Sequence, residues 1–214
     1  MSTTLVIGNK NYSSWSLRAW LALRAANASF DEELIPLDQP DTAARLAARS
    51  PSGRVPVLID GTLVIHESLA ICEYVAERFP SAGLWPTDRA ARAVARAVSA
   101  EMHAGFTAVR RAMPMNVRAE RSSHADSEAV AAEVARVCEL WRDCRARFGG
   151  SGQRFLFGSF GVADAMFAPI VSRFRTYGVP LDPVEASYAD AVWAYPPMQE
   201  WVEAARREPW TLGD

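Results

Sequence analysis

Two adjacent serines, Ser13 and Ser14, stand in a short polar segment between an apolar run and a helical pattern. The first N–H groups of a helix lack partners within the helix and carry a partial positive charge. A serine hydroxyl at this point can stabilise an anion placed against the helix. It can equally serve as the N-cap, which is the usual role of serine there, so this segment alone leaves both roles open.

Two more segments place reactive or charged groups at the ends of predicted strands. In the first, Arg54, Val55 and Pro56 precede an apolar run. A cis Val55–Pro56 bond would turn the Val55 backbone toward an extended peptide, although trans is the commoner form. In the second, Glu67 and Ser68 lie where a strand ends and a helix begins. Glu67 can accept an ammonium group there and Ser68 can meet a carboxylate, with helix capping as the alternative for both.

The elements that must position these residues follow from the hydrophobic periodicity. Short apolar runs predict strands, and spacings of three and four predict helices. Asp60-Gly61 between two apolar runs predicts an antiparallel hairpin with positive φ at both turn positions. The predicted order is βαβαββα. Strands are expected around 5–7, 30–36, 57–59 and 63–65, and helices around 17–23, 43–48 and 67–79.

The pattern changes after a run of turn formers, Pro80 to Pro86. Apolar residues then recur every three or four positions, which predicts amphipathic helices. We therefore predict an α/β domain over residues 1–79, a linker over 80–87 and an all-α-helical domain over 88–214. The helices of the second domain are expected over about 89–113, over about 130–148, from Gly161 onward and around 198–205.

Composition excludes several classes of function. The 214 residues carry 23 Lys and Arg against 25 Asp and Glu, so no basic field is available to hold nucleic acid or an anionic membrane. No apolar run is long enough to span a membrane and the N-terminus lacks a secretory pattern, so we expect a cytoplasmic protein. Three scattered cysteines and three histidines without ligand spacing predict neither a disulfide framework nor a metal site.

The three polar segments fall at loop positions of one βαβαββα unit, and the chain resembles the glutathione transferase superfamily over essentially its full length. The resemblance implies a thioredoxin-like domain that binds glutathione and a helical domain that shapes an electrophile site. The motifs that carry it are the serine pair 13–14, the cis-proline motif 55–56, the γ-glutamyl motif 67–68 and residues 158–164, which open the sixth helix.

The sequences SSWSLR and HESLAI are most similar to the serine-type, zeta-like branch, which includes maleylacetoacetate isomerases. The chain departs from that branch twice. Trp15 stands where a cysteine usually follows the serine pair, which bears on isomerase chemistry more than on glutathione binding. Gly161 stands where the capping box of the sixth helix usually begins with Ser or Thr, and Asp164 can still reach back to the Gly161 N–H.

The resemblance also implies roles for the motif residues. The glutathione thiolate is the nucleophile. We expect Ser13 to donate a hydrogen bond to its sulfur, while Ser14 caps the helix or donates a second one. The residues implied to hold glutathione, the co-substrate, are Arg54, Val55, Pro56, Glu67 and Ser68. The resemblance implies no metal. It implies a homodimer, because many members of the superfamily form one.

The electrophile is expected between the domains, against the first long helix and the sixth. The candidate contacts are His103, Phe106, Arg110, Met113 and Arg173. Arginines in the cleft would suit an anionic substrate. The alternative is that Phe106 and Met113 belong to the core and that the arginines lie on a solvated face.

These expectations favour a glutathione transferase and leave two alternatives. One is a glutathione-dependent cis–trans isomerase or a glutathione-dependent peroxidase. The other is a non-catalytic ligand-binding or scaffold protein of the same fold. A disulfide reductase is disfavoured because residues 11–18 contain no cysteine.

Overall fold

The computed structural model describes residues 2–121, 127–150, 152 and 154–212. Its first part has the predicted order βαβαββα, followed by helices alone. The strands are β1 Thr3–Ile7, β2 Asp31–Leu34, β3 Val57–Asp60 and β4 Leu63–His66. The helices of this part are α1 Ser14–Ala25, α2 Thr42–Arg49 and α3 Ser68–Arg78, and a 3-10 turn, Pro80–Ala82, follows them.

The four strands form a mixed sheet in the order β2-β1-β3-β4. β1 pairs with β2 in parallel and with β3 antiparallel, and β3 pairs antiparallel with β4, as the hairpin signal predicted. The turn itself is shifted by one residue from the expectation. Asp60 pairs with Leu63, so the turn residues are Gly61 and Thr62, and of these two only Gly61 has a positive φ, 61°.

The second part contains six helices within the described residues. They are α4 Arg89–Ala104, α5 Thr107–Ala112, α6 Glu128–Phe148, α7 Val162–Thr176, α8 Pro183–Trp193 and α9 Pro196–Arg207. The fold is therefore a thioredoxin-like α/β domain joined to an all-helical domain, as predicted. The boundaries at residues 79 and 88 stay a prediction.

The single helix predicted over residues 89–113 is wrong. α4 ends at Ala104, and Phe106 adopts a left-handed φ of 61° before α5 begins. The Arg110 guanidinium donates to the carbonyls of Met102 and His103, which ends α4 with a cation at its negative pole. The periodic pattern continues across the break because Phe106 is itself buried in the core.

Helix α8 was absent from the prediction. Its buried face consists of Glu185, Tyr188 and Val192, which have helical spacing. The pattern is concealed in the sequence because one member of that face is a glutamate. Its carboxylate is buried and pairs with the Arg142 guanidinium from α6, so the charge is compensated inside the domain.

Helix α7 is the predicted sixth helix, and it is buried along most of its length. Asp164 accepts hydrogen bonds from the N–H of Gly161 at 2.9 Å and of Leu156 at 3.1 Å, so the predicted cap is confirmed. Burial raises the pKa of Asp164 to about 6. A Cβ at Gly161 would lie 2.6 Å from the Leu84 carbonyl oxygen, which explains why glycine replaces the usual Ser or Thr.

Candidate functional site

A cleft of about 380 Å³ lies between the two domains, at the N-terminal ends of α1 and α3. Seven of the residues singled out in the sequence line it: Arg54, Val55, Pro56, Glu67, Ser68, His103 and Arg110. Five do not line it: Ser13, Ser14, Phe106, Met113 and Arg173. Phe106 and Met113 are buried in the hydrophobic core, so the alternative interpretation of these two residues agrees with the structure.

At the N-terminus of α1 the two serines have different surroundings. Ser13 is the N-cap: its Oγ accepts from the Ser16 N–H at 3.4 Å and donates to the Ser16 Oγ at 2.7 Å. Ser16 Oγ accepts in turn from the Gly8 N–H at 3.1 Å. Ser13 is buried, and its hydroxyl proton is held within the loop. The expectation that Ser14 caps the helix is therefore wrong, because Ser13, with φ of −83° and ψ of 87°, is the N-cap.

Ser14 is the first residue of α1 and is partly exposed. Its Oγ accepts a hydrogen bond from Nη2 of Arg173 at 3.4 Å. The Arg173 guanidinium is buried and fixed by two further bonds, from Nε to the Met113 carbonyl at 2.8 Å and from Nη1 to the Pro169 carbonyl at 3.3 Å. Ser14 thus accepts from a cation and keeps its own proton available for another acceptor.

The Val55–Pro56 peptide bond is cis, as the motif predicted. The segment before it is held by Ser50, whose Oγ accepts from the Arg54 N–H at 3.1 Å and donates to the Arg54 carbonyl at 2.7 Å. No hydrogen bond to the Val55 backbone is found among the described residues. The N–H and C=O of Val55 are therefore available to an extended peptide in the cleft.

At the N-terminus of α3, Glu67 adopts a left-handed φ of 71° and Ser68 is the first helical residue. Ser68 is buried, and its Oγ has no hydrogen-bond partner among the described residues. A buried hydroxyl without a partner costs free energy, so the Ser68 hydroxyl is well placed to donate a hydrogen bond to an acceptor atom of a ligand. The Glu67 carboxylate is half exposed and lies 3.7 Å from Nε2 of His103.

Trp15 forms part of the cleft wall. The guanidinium carbon of Arg18 lies 4.4 Å from its ring centroid and that of Arg110 lies 4.9 Å away, and the His103 ring meets it edge-on at 5.2 Å. The sequence analysis did not place Trp15 among the residues of the site. The available signal was its place directly after the serine pair.

Three arginines near the cleft, Arg18, Arg110 and Arg173, form no ion pair with a carboxylate in the described part of the chain. Burial, reinforced by the two other guanidiniums, lowers the pKa of Arg18 well below its usual value. Burial, together with Arg110, lowers the pKa of Arg173 to about 10, so it stays protonated at neutral pH. Burial and then Arg18 lower the pKa of His103, against the opposing effect of Glu67. Three guanidinium groups thus lie close to Trp15 and Ser14, Arg18 and Arg110 over the Trp15 ring and Arg173 at the Ser14 hydroxyl.

The three cysteines lie outside the cleft lining. Burial raises the pKa of Cys72 and of Cys144 to about 12, and it also raises the pKa of Cys138. A reactive thiolate in the cleft must therefore come from a ligand. Among the described residues, three or more His, Cys, Asp or Glu side chains nowhere gather into a potential metal site.

Two family models match the chain. The one described as Glutathione S-transferase, N-terminal domain, matches residues 12–78, and the one described as Glutathione S-transferase, C-terminal domain, matches residues 116–204. The chain belongs to the glutathione S-transferase family. Within the part that the structure describes, helices with the length and apolar character needed to cross a membrane are absent.

Relatives of this glutathione S-transferase chain include proteins of several kinds. A probable maleylacetoacetate isomerase of Caenorhabditis elegans is 36% identical over 44% of this chain and 42% of its own. Glutathione S-transferase Z2 of Arabidopsis thaliana is 26% identical over 81% of this chain and 80% of its own. The chain thus spans less than half of the nematode protein and most of the plant one.

Solved structures that are similar to this chain include members of the same family. A glutathione transferase homologue from Burkholderia GL BGR1, with bound glutathione, has a TM-score of 0.70 and 25% identity, over 96% of this chain and 98% of its own. A theta class glutathione S-transferase from Xanthomonas axonopodis pv. citri, also with glutathione bound, has a TM-score of 0.67 and 25% identity, over 94% and 97%.

Proposed function

We propose that this protein is a glutathione transferase in which Ser14 stabilises the glutathione thiolate for attack on a small electrophile. The observation that carries the proposal is the placement of the Ser14 hydroxyl. It stands at the first residue of α1, partly exposed, with its oxygen accepting from Arg173. Glutathione as co-substrate is supported by the two similar structures that contain it.

Glutathione would lie along the cleft in an extended form. The free N–H and C=O of Val55 pair with its cysteinyl residue. The γ-glutamyl end lies at the N-terminus of α3, where its carboxylate meets the Ser68 hydroxyl and N–H and its ammonium meets Glu67. Arg54, which is exposed at the rim beside Pro56, is placed for a carboxylate of the peptide.

The free thiol needs help to ionise at neutral pH. A thiol of pKa about 8.5 is only a few per cent thiolate, and lowering that pKa by about two units requires roughly 2.7 kcal/mol of preference for the anion. A helix N-terminus supplies about 0.3–1 kcal/mol. A hydrogen bond to the charged sulfur supplies about 1.5–3 kcal/mol, so the helix and one hydroxyl together reach the requirement.

The hydroxyl that fits this role is Ser14 rather than Ser13. Ser13 already donates its proton to Ser16, and turning it toward a sulfur would break the bond that closes the loop. Ser14 accepts from a guanidinium, which leaves its proton free and makes its O–H a stronger donor. The buried positive charge of Arg173 adds a further preference for an anion at the same point.

The second substrate would meet the residues that close the cleft on the helical side, Trp15, His103 and Arg110. Arg173 acts on Ser14 rather than on the electrophile, and Phe106 and Met113 contribute packing. The remaining cationic contact, Arg110, is the one that favours an anionic electrophile.

A second candidate function is a glutathione-dependent cis–trans isomerase, which the similarity to the nematode protein favours. Both reactions begin with the same thiolate addition, and they differ in whether glutathione is consumed. Tracking glutathione consumption with a haloarene, a peroxide and a maleyl-type diketo acid separates transferase, peroxidase and isomerase. Homodimer formation also stays a prediction, tested by the mass of the protein in solution.

The experiment compares Ser14→Ala with its neighbour Ser13→Ala as the matched control. Ser14→Ala should raise the thiol pKa of bound glutathione, read from the ultraviolet thiolate band. It should lower kcat by roughly 10- to 100-fold, as expected for one hydrogen bond to an anion, with glutathione affinity nearly unchanged. Ser13→Ala should mainly lower stability by about 1 kcal/mol, the usual cost of a lost N-cap.

Three outcomes decide the proposal. Loss of the thiolate band in Ser14→Ala alone supports it. Loss in Ser13→Ala alone would return the role to Ser13. An unchanged band in the double variant would remove both serines from thiol ionisation and favour a binding protein.

A further inference from the structure

The loop before α1 is held by residues distant in the chain. Both oxygens of the Glu208 carboxylate, just after α9, accept backbone bonds from this loop: Oε1 from the Lys10 N–H at 2.6 Å and Oε2 from the Asn11 N–H at 3.0 Å. The Lys10 carbonyl accepts from Nε1 of Trp201 at 2.8 Å. Hydrogen bonds from backbone N–H groups to a carboxylate are among the strong ones.

The same loop is fastened to a second point of the helical domain. Asn11 is fully buried, and its side chain donates to Asn116 Oδ1 at 2.9 Å and accepts from the Arg118 N–H at 2.9 Å. The Asn11 carbonyl accepts from the Val117 N–H at 3.2 Å. Every polar group of Asn11 is thus paired with the second domain.

Arg118 joins the two attachments. Its Nη1 donates to the Glu208 carbonyl at 2.6 Å and its Nη2 to the Trp210 carbonyl at 2.7 Å, and Nη2 also reaches the Tyr12 hydroxyl at 3.3 Å. The guanidinium therefore fixes the segment after α9 in the position from which the Glu208 side chain reaches the loop. The Glu208 carboxylate keeps both oxygens for the loop backbone.

The loop passes its position directly to the serine pair. The Asn9 carbonyl accepts from the N–H groups of Tyr12 and Ser13 at 3.1 and 2.8 Å, and the Tyr12 carbonyl accepts from the Ser14 N–H at 3.0 Å. Only two residues separate Asn11 from Ser14. A shift of the loop by a fraction of an ångström therefore moves the Ser14 hydroxyl by a similar amount, and catalytic hydrogen bonds are sensitive to shifts of that size.

We propose that Glu208 is a positioning residue, which holds the N-terminus of α1 so that Ser14 reaches the glutathione sulfur. The inference rests on the proposed role of Ser14 and assigns the helical domain a part in thiol ionisation. The residues proposed to hold glutathione, such as Val55 and Ser68, belong to the other side of the cleft and make no described contact with Glu208. Loss of Glu208 should therefore change ionisation and turnover, and leave affinity unchanged.

The test is Glu208→Gln, with Glu203→Gln on the exposed face of α9 as the matched control. Glutamine keeps the shape of the side chain, but it has one acceptor oxygen and turns an NH2 group toward a backbone N–H. We expect a thiol pKa in bound glutathione raised by roughly 0.5–1 unit and a kcat lowered by roughly tenfold, as for one lost charge-assisted bond. The dissociation constant of glutathione should stay within about twofold, and Glu203→Gln should match the wild type.

The outcomes separate positioning from structure. A lower melting temperature with an unchanged thiol pKa and kcat would overturn the inference, and so would a loss of affinity that accounts for the whole effect. If Glu208→Gln fails to fold, Glu208→Asp keeps the charge on a shorter stem and should show an intermediate shift of the thiol pKa, whereas an unshifted pKa would again overturn the inference. The failure of the proposed function is distinguishable, since Ser14→Ala would then leave the thiol pKa unchanged whatever Glu208→Gln does.

Discussion

The N-termini of α1 and α3 flank the same cleft, and both begin with a serine, but they are built differently. The loop before α1 is fixed by Glu208, Asn116 and Arg118 of the helical domain. The start of α3 follows β4 directly and takes its shape from the first domain, with His103 beside Glu67 as a contact from across the cleft. On the proposed function, the helical domain would position the group that ionises the thiol, and the α/β domain would hold the ligand.

The serine hydroxyls at the two helix starts also differ in their hydrogen bonds. The α1 hydroxyls are partnered before any ligand binds, Ser13 by Ser16 and Ser14 by Arg173. The Ser68 hydroxyl is buried without a described partner. A prearranged donor suits a transition state, and an unpaired one suits a ground-state ligand, because the ligand removes its desolvation cost.

The largest predicted effect comes from a third helix start that belongs to neither side of the comparison. Asp164→Ala leaves the buried N–H groups of Leu156 and Gly161 without an acceptor, so the free energy of unfolding should fall by about 2–4 kcal/mol. Denaturant unfolding measures this. The folded fraction should keep the wild-type thiol pKa in bound glutathione, and a changed thiol pKa would show that stability and ionisation are not separable in the helical domain.

The same carboxyl gives the pH dependence a definite sign. Burial raises the pKa of Asp164 to about 6, so the folded state binds its proton more tightly than the unfolded chain does. The contribution of this group to stability is present below about pH 4 and is lost as the pH rises to about 6. Unfolding measured across this window should show the component in the wild type, and its persistence in Asp164→Ala would assign it to another group.

The next effect in size is on glutathione affinity and tests the start of α3. Ser68→Ala should weaken glutathione binding by roughly tenfold, the value of a lost hydrogen bond to a carboxylate, and leave the thiol pKa unchanged. Stability should stay equal or rise, because an unpaired buried hydroxyl is removed. The matched control is Ser172→Ala in α7, which removes another buried hydroxyl without a described partner and should leave affinity unchanged. Calorimetric titration decides, and a raised thiol pKa in Ser68→Ala would break the division between the two helix starts.

The smallest predicted effect is on glutathione affinity and comes from His103, which lies between the starts of α1 and α3. Burial and then Arg18 lower the pKa of His103, so it is neutral at pH 7 and gains its charge below its usual titration range. The protonated ring then pairs with Glu67 and competes with the ligand ammonium, so glutathione affinity should fall by roughly two- to fivefold on acidification, the size of an exposed ion pair. His103→Gln should remove this acid limb, and a limb that persists would place the titration elsewhere.

Local pattern was enough to predict much of this molecule. The element order, the antiparallel hairpin and the Asp164 cap follow from short-range spacing, since each depends on residues that lie near one another in the chain. The cis Val55–Pro56 bond followed from the family resemblance, because the residues alone favour trans. The break between α4 and α5 was not predicted, because apolar residues keep their helical period across it. The contact of Glu208 with Lys10 and Asn11 was not predicted for a different reason. These residues are 198 and 197 positions apart in the chain, and hydrophobic periodicity gives no information about contacts at that separation.

The choice between the serines also lay beyond pattern. Ser13 and Ser14 are equivalent in the sequence, and only the backbone at the helix start decides which one is the N-cap and which one is the first, partly exposed, helical residue. The partner that distinguishes Ser14, Arg173, comes from a helix 159 residues further along the chain.

The raised thiol pKa values of Cys72, Cys138 and Cys144 have a practical consequence for spectroscopy. These are the only three cysteines of the chain, and none of them ionises appreciably near neutral pH. The protein's own thiols therefore add no thiolate band to the ultraviolet absorption of its peptide bonds and of its 7 Trp and 5 Tyr side chains. Any such band that develops on mixing with glutathione belongs to the ligand, so the wild-type protein reports its own chemistry without cysteine substitutions.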